Sequence, residues 1–198
     1  MLRFLIACSL ALMLAACQPS APAALPFKGS DVSQEQIGGD FTLTRHDGTA
    51  VSLADYQGKV VALFFGYTHC PDICPTTMLE YAGAMKTLGA DADAVQVLFV
   101  SVDPGRDTPE VLAGYVPHFD RRFAGLTGDK TALTDVARRY RVVSTVQPTE
   151  GGGYLVDHSA GSYLLDTAGR VRAYEPYGTP SATLAHDIRL LLAEPRKP

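Results

Sequence analysis

The sequence predicts an α/β domain: a central mixed sheet flanked by helices, with an N-terminal β-hairpin extension. Three observations carry this. Two runs, KVVALFFGY (59–67) and VQVLFVSVD (95–103), are almost continuously apolar, as strands buried on both faces must be. Between them lies a segment of helical period, with Met78, Ala82 and Met85 sharing one face of Thr76 to Leu88. Turn residues at Asp47-Gly48 and at Thr167-Ala168-Gly169 each separate two strand-like stretches, which is the mark of a hairpin.

The chain opens Met1-Leu2-Arg3 and then runs apolar from Phe4 to Ala16. A basic start, a short apolar run and small residues at its end have the form of an export signal. The run falls short of the roughly 20 residues that span a bilayer. Leu14-Ala15-Ala16-Cys17 resembles the lipobox of bacterial lipoproteins. That resemblance implies cleavage before Cys17, a lipid on its sulfur, and a place in the bacterial cell envelope on the inner or outer membrane. An ordinary secretory signal is the alternative. Residues 1–16 are therefore expected outside the fold. Residues 17–36, with three prolines and no sustained period, read as a lipidated N-terminus and flexible tether. Extended, that tether reaches about 60 Å. What remains, 37–193, has the size of one ordinary domain.

Within that domain, DFTLTRHDGTAVSL (40–53) is the first hairpin. Helices are expected near 109–118 and 130–140. HSAGSYLLD and RVRAYEP form the second hairpin, and Ala182 to Leu192 is an amphipathic helix with Leu184, Ile188, Leu191 and Leu192 inward. A βαβα half followed by ββα is the thioredoxin-like order, in which the turn after the first core strand carries the active cysteines. Here that turn reads THCPDICP (68–75). The net charge of −4 speaks against general nucleic-acid binding.

Of four cysteines, Cys8 leaves with the signal and Cys17 takes the anchor, so Cys70 and Cys74 remain in an oxidising compartment. A disulfide across so short a loop stabilises little by chain entropy, which weakens a purely structural role. Pro75 suits the first turn of a helix, making Cys74 the expected N-cap and Cys70 part of the preceding loop. The helix terminus favours thiolate at both, while Asp72 opposes it. Dithiol oxidoreductases use C-x-x-C; this chain has one residue more and no tryptophan. The wider spacing lets both sulfurs point at a common third atom and still permits a disulfide.

Soft thiolates with an imidazole suit copper in either oxidation state. Among five histidines, His46, His118 and His186 read as solvated surface residues, and His69 as a neighbour of Cys70 that points away. His158, in GGGYLVDHSAG, sits where the thioredoxin-like order brings a strand start beside the cysteine turn, at the place of the usual cis-proline. It is the candidate third ligand, though a lone histidine at a strand start is commonly structural. Met78 and Met85 lie at core spacing. In SVDPGRDTPE, Thr108 or Asp107 reads as a helix N-cap with Pro109 in the first turn, leaving Asp103 and Arg106 as a docking surface.

GYTHCPDICPTTM, SVDPGRDTP and VDHSAGSYLLD together resemble the Sco/SenC family of copper-binding assembly proteins, over nearly all of 37–193. The resemblance implies a membrane-tethered thioredoxin-like domain holding one copper, Cu(I) or Cu(II), through Cys70, Cys74 and His158. It also implies a client, subunit II of cytochrome c oxidase or another copper enzyme, served by copper delivery or by reduction of its cysteines. An upstream copper donor and a thiol reductant follow from that role. Such a protein is a metallochaperone rather than an enzyme in the turnover sense. The competing reading is a thiol–disulfide oxidoreductase or peroxide-handling enzyme that uses Cys70 and Cys74 alone.

Overall fold

The computed structural model describes residues 24–195; the export signal and the lipobox-like Cys17 lie outside them. Among the described residues ten strands and four α-helices follow in chain order. They are β1 (Ser30–Asp31), β2 (Thr42–Arg45), β3 (Ala50–Ser52), β4 (Val60–Gly66), α1 (Ile73–Leu88), β5 (Val95–Ser101) and α2 (Pro109–Tyr115). Then come β6 (Ala124–Thr127), α3 (Lys130–Arg139), β7 (Ser144–Pro148), β8 (Tyr154–His158), β9 (Ser162–Leu165), β10 (Val171–Glu175) and α4 (Ser181–Leu192).

Eight strands make one mixed sheet in the order β1-β10-β9-β4-β5-β6-β2-β3, and β7 pairs with β8 in a separate ribbon. The centre is parallel, β4 to β5 and β5 to β6, while β9 runs antiparallel to β4. The continuous apolar runs are explained by the pleat, which sends alternate residues to opposite faces. From β4, Val60, Ala62 and Phe64 enter one core, with Met78, Tyr81 and Met85 of α1 and Leu184, Ile188 and Leu191 of α4. Val61, Leu63 and Phe65 enter the other, with Leu133 and Val136 of α3 and Leu43 and Val51 of the β2–β3 hairpin. Each fully buried Leu or Phe contributes about 1.5–3 kcal/mol, so a strand apolar on both faces anchors both layers.

Several elements differ from the sequence reading. Helix α1 starts at Ile73, with Asp72 rather than Cys74 as its N-cap, because the helical backbone already begins ahead of Cys74. It stops at Gly89, whose φ of 62° a side chain rarely adopts. HSAGSYLLD is not one strand: His158 ends β8, and β9 begins at Ser162.

The expected tether is also shorter. Strand β1 pairs with β10, and the amides of Lys28 and Gly29 donate to the Asp187 carboxylate at 2.9 and 2.8 Å. Leu25 and Phe27 pack on the first core. The ordered domain thus takes in residues assigned by composition to a linker.

Candidate metal centre

The site forms at the C-terminal ends of β4 and β8. From Gly66 the chain turns through Tyr67 to Asp72 into α1, placing Cys70 half-buried in the turn and Cys74 fully buried in the first helical turn. His158 closes β8, 84 residues after Cys74 in sequence. The two sulfurs and a ring nitrogen of His158 all lie within 4.8 Å of one another, with Cys74 Sγ and His158 Nε2 3.3 Å apart. Metal–ligand bonds of about 2.0–2.3 Å put the donors of a trigonal site about 3.5–4 Å apart, so closing the set takes about 1 Å of movement. Two soft sulfurs and an imidazole match a monovalent or divalent copper ion.

The donors are also prepared chemically. His158 Nδ1 lies 2.9 Å from the carbonyl oxygen of Ser159. Donation from Nδ1 leaves the Nε2 lone pair facing the sulfurs. The His158 ring meets Tyr67 edge-on at 5.8 Å and Phe64 at 6.3 Å, which fixes its plane. Cys70 Sγ accepts the Cys74 backbone N–H at 3.4 Å. The Cys74 side chain, first, and the amides of Asp72 and Cys74 bring the Cys70 thiol down to about 5 against the cost of burial. The Cys70 sulfur and complete burial both push the Cys74 thiol upward. In the metal-free protein Cys70 is therefore the thiolate and Cys74 the thiol.

A second tier holds the cysteine turn in place. Asp107, fully buried, accepts the Thr68 backbone N–H at 3.1 Å, the Thr68 hydroxyl at 2.6 Å and the Ser101 hydroxyl at 2.7 Å. Asp107 is thus no helix cap. That role belongs to Thr108, whose hydroxyl accepts from Val111 N at 3.4 Å. Nor is Asp103 a free docking surface. It is 5 % exposed, paired with Arg106 at 2.5 Å and accepting from the Tyr154 hydroxyl at 2.9 Å. The SVDPGRDTP motif drew attention to these residues, but nothing local revealed that they face Thr68 and Tyr154.

His46, His69, His118 and His186 stay outside the donor set. His69 is exposed. His46 is more than a solvated residue, since its Nδ1 accepts the Gly125 N–H at 3.0 Å. Met78 and Met85 are buried in the core, as their spacing predicts.

The SCO1/SenC family model matches residues 30–193. Protein SCO2 homolog, mitochondrial, of Bos taurus is 39% identical over 158 residues, covering 78% of this chain and 59% of that protein. Protein SCO1 homolog 1, mitochondrial, of Arabidopsis thaliana is 41% identical over 140 residues, 70% of this chain and 42% of the relative. The chain thus spans about half the length of the curated relatives it matches. Among solved structures, Bradyrhizobium japonicum ScoI with copper bound superposes with a TM-score of 0.73 at 41% identity, over 78% of this chain and 99% of that one.

Proposed function

Because the chain belongs to the SCO1/SenC family, we propose that it is a copper metallochaperone serving the binuclear copper centre of cytochrome c oxidase subunit II. It carries one copper ion on Cys70, Cys74 and His158 and delivers that ion, reduces the client's cysteines, or does both. The convergence of two sulfurs and an imidazole nitrogen within 4.8 Å is the observation that carries this reading. Thiolates favour Cu(I) and the imidazole accommodates Cu(II), so the same donors serve a carrier that meets both states. The Cys70 thiolate provides a nucleophile for thiol exchange with a client disulfide.

The competing oxidoreductase reading needs only the two cysteines. It leaves the imidazole pointing at Cys74 without a task, and among the described residues no cis peptide bond stands in the usual redox place.

The decisive experiment titrates the reduced full chain, in detergent, with Cu(II) while recording visible absorption. The reading requires intense sulfur-to-copper bands that saturate at one equivalent and are lost in His158→Ala. Rapid conversion to a disulfide without a stable coloured species would overturn it in favour of thiol exchange, and an unchanged His158→Ala titration would overturn the three-donor site.

The lipobox-like Leu14 to Cys17 supports attachment to a bacterial envelope membrane through Cys17. Among the described residues no helix is long and apolar enough to cross a membrane. Mass spectrometry of the membrane-bound protein tests the anchor: the expected N-terminal residue is a lipid-modified Cys17, and Cys17→Ala releases the protein from the membrane.

A further inference from the structure

We infer that Arg106 is a positioning residue for His158, acting through Tyr154 to set where the β7–β8 ribbon presents the imidazole to the two sulfurs. The inference rests on the copper-binding reading above and deepens it.

The starting point is how weakly the ribbon is founded. Among the described residues strands β7 and β8 pair only with each other, every residue of β7 is exposed, and the tip is Gly151-Gly152-Gly153. A two-stranded ribbon is marginal on its own. Near His158 it is tied down by buried Val156 and by reciprocal bonds between Val143 and Ser159 at 3.0 and 3.1 Å. At its other end, four residues and about 13 Å away, it is held by Arg106. The guanidinium carbon sits 3.7 Å from the centre of the Tyr154 ring and 5.7 Å from that of Tyr67. Arg106 Nη1 donates to the Tyr154 carbonyl at 3.0 Å. Asp103 completes the clamp, accepting from Arg106 Nε at 2.5 Å and from the Tyr154 hydroxyl at 2.9 Å.

The loop that bears Arg106 also bears Asp107, which grips Thr68 just ahead of Cys70. Its own backbone is tied, with the amides of Arg106 and Asp107 both donating to the Asp103 carbonyl at 3.2 and 3.0 Å. One short rigid loop therefore holds the cysteine turn with one residue and the histidine ribbon with another, and so sets the sulfur-to-imidazole distance. Among the described residues Arg106 Nη2 is buried without a hydrogen-bond partner, a cost in stability accepted in return for the stacked, forked contact. Lysine offers neither the plane nor the fork.

The test is a cycle of Arg106→Ala, His158→Ala and the double variant. Each reduced full chain is titrated with Cu(II) and its nitrogen coupling read by electron paramagnetic resonance. Outer partners of metal ligands commonly contribute 10–100-fold in affinity. Arg106→Ala is expected to lose affinity in that range and to lose the imidazole coupling while keeping sulfur-to-copper absorption. Arg106→Lys should follow Ala, and Tyr154→Phe, which keeps the stack, should fall between Ala and wild type. In the His158→Ala background, Arg106→Ala should change little. An equal loss in both backgrounds, or an unchanged imidazole signal, would overturn the positioning role.

Histidine-ring nitrogen NMR of the metal-free proteins separates the two claims. A single well-ordered His158 signal in wild type that broadens or shifts in Arg106→Ala supports positioning even if wild type binds no copper, an outcome that would sink the copper reading instead. Identical His158 signals in both proteins would overturn positioning whatever the titrations show.

Discussion

There is no room for a side chain between Gly66 and Cys74: a Cβ at residue 66 would lie 2.7 Å from Cys74 Sγ and 2.9 Å from the Phe99 ring. The last residue of β4 is thus bare because the sulfur of α1 occupies the space. Gly66→Ala should cost about 1–3 kcal/mol as an overpacked core position and push Cys74 Sγ away from His158. Thermal melts and copper titration together check this. A variant with unchanged melting and unchanged copper affinity would show that the sulfur yields freely.

In the metal-free protein Cys70 is deprotonated with a value of about 5, set first by Cys74 and then by the local amides. Alkylation followed by peptide mapping should therefore modify Cys70 well before Cys74. Its rate should be flat through neutral pH and fall as pH drops through about 5. Cys74, buried and pushed upward, should stay unmodified unless Cys70 is replaced. Equal labelling of the two at pH 7 would contradict the assignment.

Removing residues 1–36 should destabilise the domain more than removing 1–23. The longer cut deletes β1, takes away the Lys28 and Gly29 amides that satisfy Asp187, and uncovers the core beneath Phe27. Taking two amide donors from a buried carboxylate that keeps His186 costs on the order of 1–3 kcal/mol. Urea unfolding of the two trimmed chains would read the difference. Equal midpoints would mean that the segment is only loosely associated.

Beneath that segment Glu175 is 1 % exposed and finds no donor among the described residues. Burial and the neighbouring Asp187 raise its carboxyl from 4.5 to about 8. Tyr81 of α1 feels the Glu175 charge, and His186 Nδ1 lies 2.6 Å from the Asp187 carboxylate. A carboxyl raised on folding binds its proton more tightly in the native state. Its contribution is full below about pH 4.5 and is lost as pH rises to about 8. Asp187 runs the other way. Burial opposes its ionisation, but the Gly29 and Lys28 amides and His186 outweigh it and hold the carboxyl low, so its contribution is lost only as pH falls below the ordinary carboxylate range. Glu175→Gln should therefore flatten the decline in stability between pH 5 and 8 and be more stable than wild type at pH 8. Denaturant unfolding across that range is the check, and parallel curves for the two proteins would refute the assignment.

How much was legible beforehand follows from range. The doubly apolar β4 and β5, the helix after the cysteines and the inward face of α4 are written in local periods of 2 and 3.6, which a linear reading can count. The cysteine turn was equally plain, because both residues lie in one short segment. His158 could be nominated from the element order, since that order places the start of the later hairpin beside the turn. Strand β6 is short and carries Gly125, packed against Val116 and Leu112, so it had no periodic signal. Residues 27–36 looked like a linker because their partners, Asp187 and the backbone of β10, lie more than 130 residues away.

The sequence by itself determined the donor types, their order and the two-faced strands that carry them, because these depend on side-chain chemistry and neighbours along the chain. The tertiary structure decided the distances. It set Cys74 and His158 at 3.3 Å, made Cys70 rather than Cys74 the thiolate, and turned Asp107 from a helix-cap candidate and Arg106 from a docking-surface candidate into supports of the site. Hydrogen bonds and burial between remote segments control all three, and neither leaves a local pattern to read.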